Sequence, residues 1–217
     1  MINEIRIKIR ETLNPYLAPL RRKKLKTDKF TIISNNCWGG HVYRYFGLNY
    51  MSPTVGLYIF SEDYIKFIKN LRHYLTSELT FVSRADSKYS EILEERGGKD
   101  AICPIGKIDD IEIIFLHYSS EEEAREKWNR RCSRVVWDNI VYKMSEQNEC
   151  SDELLEEFDK IPEKRKFCFV SEDKGLKSQV IFKEYLGKGS VSNDTNLFRK
   201  YIILPNFING EPFKKRQ

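Results

Sequence analysis

Seven residues hold the densest chemistry in the chain: Ser34-Asn35-Asn36-Cys37-Trp38-Gly39-Gly40. They follow a short apolar run, Phe30 to Ile33, that reads as a buried strand, so they fall where α/β folds place their ligands. Asn35 and Asn36 tolerate left-handed backbone and offer side-chain amides, while Gly39 and Gly40 permit a tight turn or close approach of backbone to ligand. With a helix starting near Gly40, the free N–H groups at its N-terminus favour a thiolate at Cys37, and His41 stands four positions on as a base. The same residues also make an ordinary strand-to-helix turn with a buried cysteine and a packing tryptophan. Neither GxGxxG nor a P-loop is present.

Two further constellations bear on chemistry. His117-Tyr118 ends the apolar run Ile111 to Leu116, which puts His117 at a strand's C-terminal edge, better placed as a base than the helical His73. Trp128, Arg131 and Arg134, at i, i+3 and i+6, share a broad helix face. Guanidinium groups suit phosphate and the indole ring suits a base or sugar, although basic residues late in a helix also complement its dipole. There is no carboxylate pair of a glycoside hydrolase and no DxD, and Asp109-Asp110 reads as a turn. The five cysteines are widely spaced without CxxC, so neither a disulfide framework nor a metal site is expected.

The elements that must position these residues follow from periodicity. Ile2, Ile5, Ile9 and Leu13 form a helical stripe that Pro15 and Pro19 are expected to end. Val55 to Phe60 is a second strand candidate. A helix starts at Ser61 with Tyr64, Phe67, Ile68, Leu71, Tyr74 and Leu75 on its apolar face. Ser83 to Lys99 reads as loop around a short helix, and Ile111 to Tyr118 as the strongest strand. A helix from Ser120 to about Arg134, a strand over 139–144, a helix from Ser151 to Lys160 and a strand over 167–170 follow. Strands alternating with helices predict an α/β fold: three layers, a mainly parallel and at most mixed central sheet, helices on both faces. Ile32, Ile33, Leu57, Ile113, Phe115, Val141 and Phe169 are its expected core. Leu197 to Gln217, with Pro205 and Pro212, is expected to pack as a terminal extension. The domain reading is a basic helical extension over 1–29 and a single α/β domain over 30–217.

The 217 residues carry 37 Lys+Arg against 32 Asp+Glu, and the excess is local. Residues 1–30 hold nine basic and three acidic groups, a surplus of six, so the rest of the chain sums to −1. A smaller basic tail is Lys214, Lys215 and Arg216. A basic end can be solvated, meet an anionic membrane surface, or meet nucleic acid, the weakest of the three readings here. No apolar run reaches spanning length, and residues 1–20 lack the continuous apolar core of a secretory signal. A cytoplasmic protein, with peripheral contact at the inner membrane face as its one membrane option, is the expectation.

A resemblance attaches to several of these segments together. Ser34 to Gly40, then Tyr43, Gly47-Leu48, Tyr50 and Ser52-Pro53-Thr54, resemble the bacterial "domain of unknown function 1919" family. So do Asp63 to Phe67, Cys103 to Gly106, Asp110-Ile111-Glu112 leading to His117-Tyr118, and Trp128, Arg131 and Arg134 before Asp138-Asn139. The resemblance covers about residues 30–200. Members are often labelled exopolysaccharide or capsular polysaccharide biosynthesis proteins, which implies an α/β fold and a place in cell-envelope glycan pathways. A strand ending in Asn-Asn-Cys is also similar to a group of capsule acetyltransferases that bind coenzyme A. In the family pattern the position of His41 varies, which counts against that residue as an obligatory base. The expectation is then a transferase acting by acyl transfer on a sugar or glycan precursor. Cys37 would be nucleophile or oxyanion-side ligand and His117 base, with Asn35, Asn36, Gly39, Gly40 and His41 at the substrate. Arg131 and Arg134, with Trp128 beside them, would hold a phosphate of a donor or substrate: a coenzyme A thioester, a nucleotide sugar or a lipid-linked glycan. Two rivals stand beside it: a non-catalytic carbohydrate- or nucleotide-binding regulator of glycan assembly, and a glycosyltransferase-like enzyme without a DxD metal site.

Overall fold

Apolar runs that bury both faces build a four-stranded sheet, as expected for parallel strands covered on either side. In the computed structural model β1 (Thr31–Ser34), β5 (Ile140–Ser145), β6 (Lys166–Val170) and β7 (Gln179–Ile181) lie in that order, every pair parallel. The structure describes residues 2–195 and 197–211, with residues 2–11, 99 and 101 described through their backbone alone. The basic tail at 214–216 and Pro212 lie outside the described residues.

Alternate residues of these strands feed two cores. Ile33, Tyr142, Met144, Cys168 and Val170 face one side, against α3 (Ser61–Lys69), α4 (Leu71–Thr76), α6 (Glu121–Cys132) and α7 (Asp152–Lys160). Ile32, Val141, Phe167, Phe169 and Val180 face the other, against α2 (Trp38–Phe46) and α8 (Leu204–Ile208). The chain is therefore α/β with helices on both faces of a parallel sheet. The seven expected core residues are all buried.

The strand expected over 111–118 is shorter and joins a different sheet. β2 (Thr80–Val82), β3 (Ile105–Ile108) and β4 (Ile111–Ile114) form a separate antiparallel sheet in which β3 and β4 make a hairpin. Its two-residue turn is Asp109-Asp110, and Asp109 takes the left-handed conformation (φ 52°) that such hairpins require. Ile113 and Phe115 are thus buried in a second layer and not in the central sheet. The strand candidate Val55 to Phe60 contributes a single bridge, Tyr58 to Ile114. Its backbone meets the end of β1 through Ile59 N–H donating to Asn35 O (3.1 Å), and the residues just before it are tied to β1 through side chains, with Ser34 N–H donating to Thr54 Oγ1 and Ser52 Oγ bonded to Ile32 O. The helix expected from Ser61 breaks at Asn70 into α3 and α4. A short helix, α5 (Ser90–Arg96), precedes β3.

The N-terminal helix α1 (Ile2–Arg22) runs through Pro15 and Pro19, where the sequence predicts an end. Each proline removes one helical N–H bond, and docking onto the end of α2 offsets the loss. Asn14 Nδ2 donates to Arg44 O (2.6 Å), Arg21 Nη1 to Tyr45 O (2.9 Å) and Arg22 Nη1 to Gly47 O (2.8 Å), and the Arg21 guanidinium lies 4.2 Å from the Tyr45 ring centre. Gly47 makes that docking fit. It ends α2 with φ 62°, and a Cβ there would stand 2.9 Å from Ala18 Cβ. No helix of the described residues is long and apolar enough to cross a membrane.

Candidate functional site

The turn after β1 is held by its own amides. Asn35 is fully buried; its side chain donates to Ser145 O (3.0 Å) and accepts from Ser145 N–H (3.0 Å), extending the β1–β5 ladder by one residue in place of backbone. Asn36 Oδ1 accepts from the Trp38 N–H (3.1 Å), which opens α2, and from Lys143 Nζ (2.9 Å). Gly39 and Gly40 serve close packing within the protein. A Cβ on Gly39 would lie 3.2 Å from Ile32 Cγ2, and one on Gly40 3.0 Å from Val55 Cγ1. The loop's conformational signals are therefore spent on seating α2 against β1. His41 is half-buried on α2, where the Arg44 guanidinium approaches its ring at 3.2 Å.

Beneath the turn lies an ion pair with no exposed surface to speak of. Lys143 is 0% and Asp194 1% exposed, and they bond directly. Asp194 Oδ2 also accepts from Ser145 Oγ (2.5 Å) and Asn36 Nδ2 (2.9 Å), while the ammonium lies 5.5 Å from the Phe169 ring centre and 5.9 Å from that of Trp38. Burial lowers the Lys143 pKa below its ordinary 10.5, and Asp194 counters that fall.

Cys37 is the N-cap of α2, yet its side chain makes no cap bond; Sγ donates to Leu57 O (3.4 Å). Burial, reinforced by the negative charge of Asp194, raises the thiol to about 11, more than Lys143 and the nearby backbone at Gly56 offset. The expected thiolate is disfavoured: desolvation outweighs the helix N-terminus and holds Cys37 toward the neutral thiol. Alkylation by iodoacetamide at pH 7.5 is expected to run about a hundredfold or more slower than for free cysteine, rising roughly tenfold per pH unit toward 11. Labelling as fast as free cysteine near neutrality refutes this.

The remaining predicted residues spread out. His117 is exposed, with its backbone N–H donating to Gly56 O (2.9 Å), so it and Cys37 bracket the Gly56-Leu57 segment. Trp128 is 1% exposed, packed on Phe67 and Phe115 in the core. Arg131 is buried too, donating to Val55 O (2.9 Å) and to Tyr118 Oη and lying 5.1 Å from the Tyr50 ring centre. Arg134 lies past the end of α6 and is exposed. The face expected to hold a donor is divided between core, an internal brace and solvent.

The open space is elsewhere along the same sheet edge. A cavity of about 460 Å³ lies beyond β5, walled by Glu146 to Cys150, by Gly189, Ser190 and Ser192, and by Arg96. Asn148 and Glu149 both adopt left-handed backbone (φ 58° and 56°), a conformation that costs a non-glycine residue free energy and needs fixing from outside. Arg96 does so, donating to Asn148 Oδ1 (3.3 Å) and Glu149 Oε1 (2.9 Å), while Ser61 N–H donates to Asn148 O (2.9 Å) and Ser61 Oγ to Gln147 O (2.8 Å). Glu146 accepts from the Ser171 N–H (2.5 Å) and pairs with Lys174 (3.5 Å). The side-chain amide Nε2 of Gln147 is buried with no partner among the described residues. None of these residues was singled out in the sequence. The one available signal was Lys143, a cation inside an apolar strand next to this loop. Among the described residues no group of His, Cys, Asp and Glu could hold a metal ion.

Comparison with known proteins gives two findings. The chain is 34% identical over 149 residues to an "Uncharacterized protein" of Haemophilus influenzae, a match spanning 69% of this chain and 65% of that relative. The model of the family described as "Domain of unknown function (DUF1919)" matches residues 9–203, which takes in α1 from its middle, both sheets and the cavity loops. The chain belongs to the DUF1919 family.

Proposed function

We propose that the chain binds a neutral, hydroxyl-rich ligand, a sugar or glycan precursor, in the cavity beyond β5, and that it serves cell-envelope polysaccharide assembly as a binding component. The observation that carries the reading is a cavity walled largely by carboxylates, amides and hydroxyls, one of whose wall residues, Gln147, holds a buried and unpartnered amide Nε2 that a turn of the side chain would present to a ligand. A buried donor left unpaired costs free energy that a ligand hydroxyl would recover. Charge narrows the ligand class. Arg96, the one cation among the described wall residues, is already paired with Glu149, and Glu146 is paired with Lys174, so no unpaired positive group awaits the phosphates of coenzyme A or a nucleotide sugar there. The pathway rests on the resemblance set out above. Acyl transfer through Cys37 is disfavoured by its neutral thiol. Glu146 and Glu149 favour a second reading as a transferase, since either carboxylate could take a proton from a sugar hydroxyl.

A thermal-shift panel of free sugars, nucleotide sugars, coenzyme A and acetyl-coenzyme A tests the proposal. Ligand at a hundredfold its Kd stabilises by about 2.7 kcal/mol, or roughly 5–10 °C for a chain of this size. The shift is expected with a free sugar and is expected to vanish in Gln147→Leu. Stabilisation by coenzyme A or a nucleotide sugar with none by free sugars overturns the ligand class, and turnover of a sugar would establish the transferase reading.

A further inference from the structure

We infer that α1 is a docking helix for an anionic lipid bilayer, lying in the plane of the surface on the apolar ridge Leu13, Tyr16, Leu17 and Leu20. This stands apart from the cavity and does not depend on it.

The helix is mounted in reverse. An amphipathic helix of a globular protein ordinarily turns its apolar stripe to the core. Here the docked face is Asn14, Ala18, Arg21 and Arg22, which bond or pack against the end of α2, and Ala18 alone among 12–22 is buried. At about 100° per residue, Leu13, Tyr16 and Leu20 lie about 140–160° around the helix from Ala18. They are accordingly 47%, 76% and 58% exposed, with Leu17 at 38% on their flank. In the sequence the same spacing continues back through Ile9, Ile5 and Ile2.

The spacing and the charges select the occupant. A second copy of the helix would call for a sustained heptad stripe, and the heptad through Ile2, Ile9, Leu13, Tyr16 and Leu20 has the cations Arg6 and Lys23 at its other core positions. The observed stripe keeps the 3.6-residue period of a straight helix, which suits a flat surface. Exposed Lys23, Lys24 and Lys29 follow the ridge, with Lys26 paired to Glu211 at 3.7 Å, and Arg6, Lys8 and Arg10 are interspersed before it in the sequence. Cations flanking an apolar stripe complement anionic headgroups, and tyrosine is at home in the headgroup layer.

The test is co-sedimentation of the full chain with phosphatidylcholine vesicles, with and without phosphatidylglycerol, at low and high salt, alongside sedimentation equilibrium without lipid. The chain is expected to bind the phosphatidylglycerol vesicles, to release them in high salt, and to partition about tenfold or more weakly as Leu13→Gln/Tyr16→Gln/Leu20→Gln. Because the three positions are exposed, that variant should keep the wild-type melting midpoint; Lys23→Gln/Lys24→Gln, which leaves the ridge intact, should weaken binding only on the charged vesicles. No vesicle binding, equal binding with and without phosphatidylglycerol, or binding that survives the ridge variant overturns the inference. A dimer that the ridge variant dissolves also overturns it, and assigns the ridge to a second copy.

Discussion

Asp194→Ala is expected to lower the thermal midpoint by about 6–20 °C, the equivalent of the roughly 3–5 kcal/mol lost when one partner of a buried ion pair is removed. The size follows from what stays behind. The Lys143 ammonium would keep Asn36 Oδ1 and the faces of Trp38 and Phe169 but lose its counter-charge, with no route to water. Ser145 Oγ and Asn36 Nδ2 would lose an acceptor in the same step. The pH dependence has a definite sign. Burial already places the Lys143 pKa below 10.5, so between its folded and unfolded values the unfolded chain binds more protons and stability rises with pH. Without Asp194 the fall deepens and the window widens toward neutrality. The gap between variant and wild type should therefore narrow as pH rises from 7, because the variant's lysine gives up its proton at lower pH than the wild type's. Lys143→Met together with Asp194→Leu should recover most of the loss, because apolar replacements leave no charge to desolvate. A drop below about 3 °C for Asp194→Ala, roughly 1 kcal/mol, would mean that the pair is hydrated and the network is not the keystone of this sheet edge.

That network also shows where sequence reading succeeds and stops. β1, β5 and β6 were legible because Ile32-Ile33, Val141 and Phe167 to Val170 are apolar runs of strand length between helical stretches. The partnership of Ile111–Ile114 was not legible. An apolar run of this kind fits a parallel sheet or a hairpin equally well, and the deciding pairing partner, Ile105–Ile108, is short and broken by Gly106 and Lys107, so no apolar run marks it as a strand. The Asp109-Asp110 turn between them is legible as a turn, but not the antiparallel pairing of the two strands that it joins. Pro15 and Pro19 predicted a helix end by a local rule, and tertiary bonds from Asn14, Arg21 and Arg22 overrode it. At the site, the turn over 34–40 was found because asparagine, cysteine and glycine cluster there. Its partners stand more than a hundred residues away, with Lys143 bonded to Asn36 and Asp194 closing the triangle. A lysine in an apolar strand signals a buried partner, but nothing marks Asp194 among the polar residues of its loop. The same holds for Gln147 to Glu149, whose significance lies in backbone conformation and an unpaired amide, neither of which a residue type announces.

The second large effect concerns Trp128, whose ring the sequence offered as a stacking platform for a sugar or base. In the structure it fills the core between α6, α3 and the segment after β4, with ring centres 6.3 Å from Phe67 and 6.1 Å from Phe115. Trp128→Ala should therefore cost about 3–5 kcal/mol, the range for removing a large buried aromatic side chain and leaving a cavity, and lower the midpoint by about 6–20 °C. One turn later Arg131 reaches from α6 to Val55 O and Tyr118 Oη, so a shift of this helix loosens the segment that runs beside β1 and accepts the Cys37 hydrogen bond at Leu57. The cavity beyond β5 is lined by other elements, and sugar affinity measured well below the variant's midpoint should stay within about threefold of wild type, a change of under 1 kcal/mol. Gln147→Leu should behave oppositely, with the fold intact and the ligand lost. Calorimetry of both variants, with and without sugar, separates the two roles. If Trp128→Ala melts at the wild-type temperature yet no longer binds sugar, the indole belongs to the ligand site and α6, not the loop after β5, is where the ligand sits.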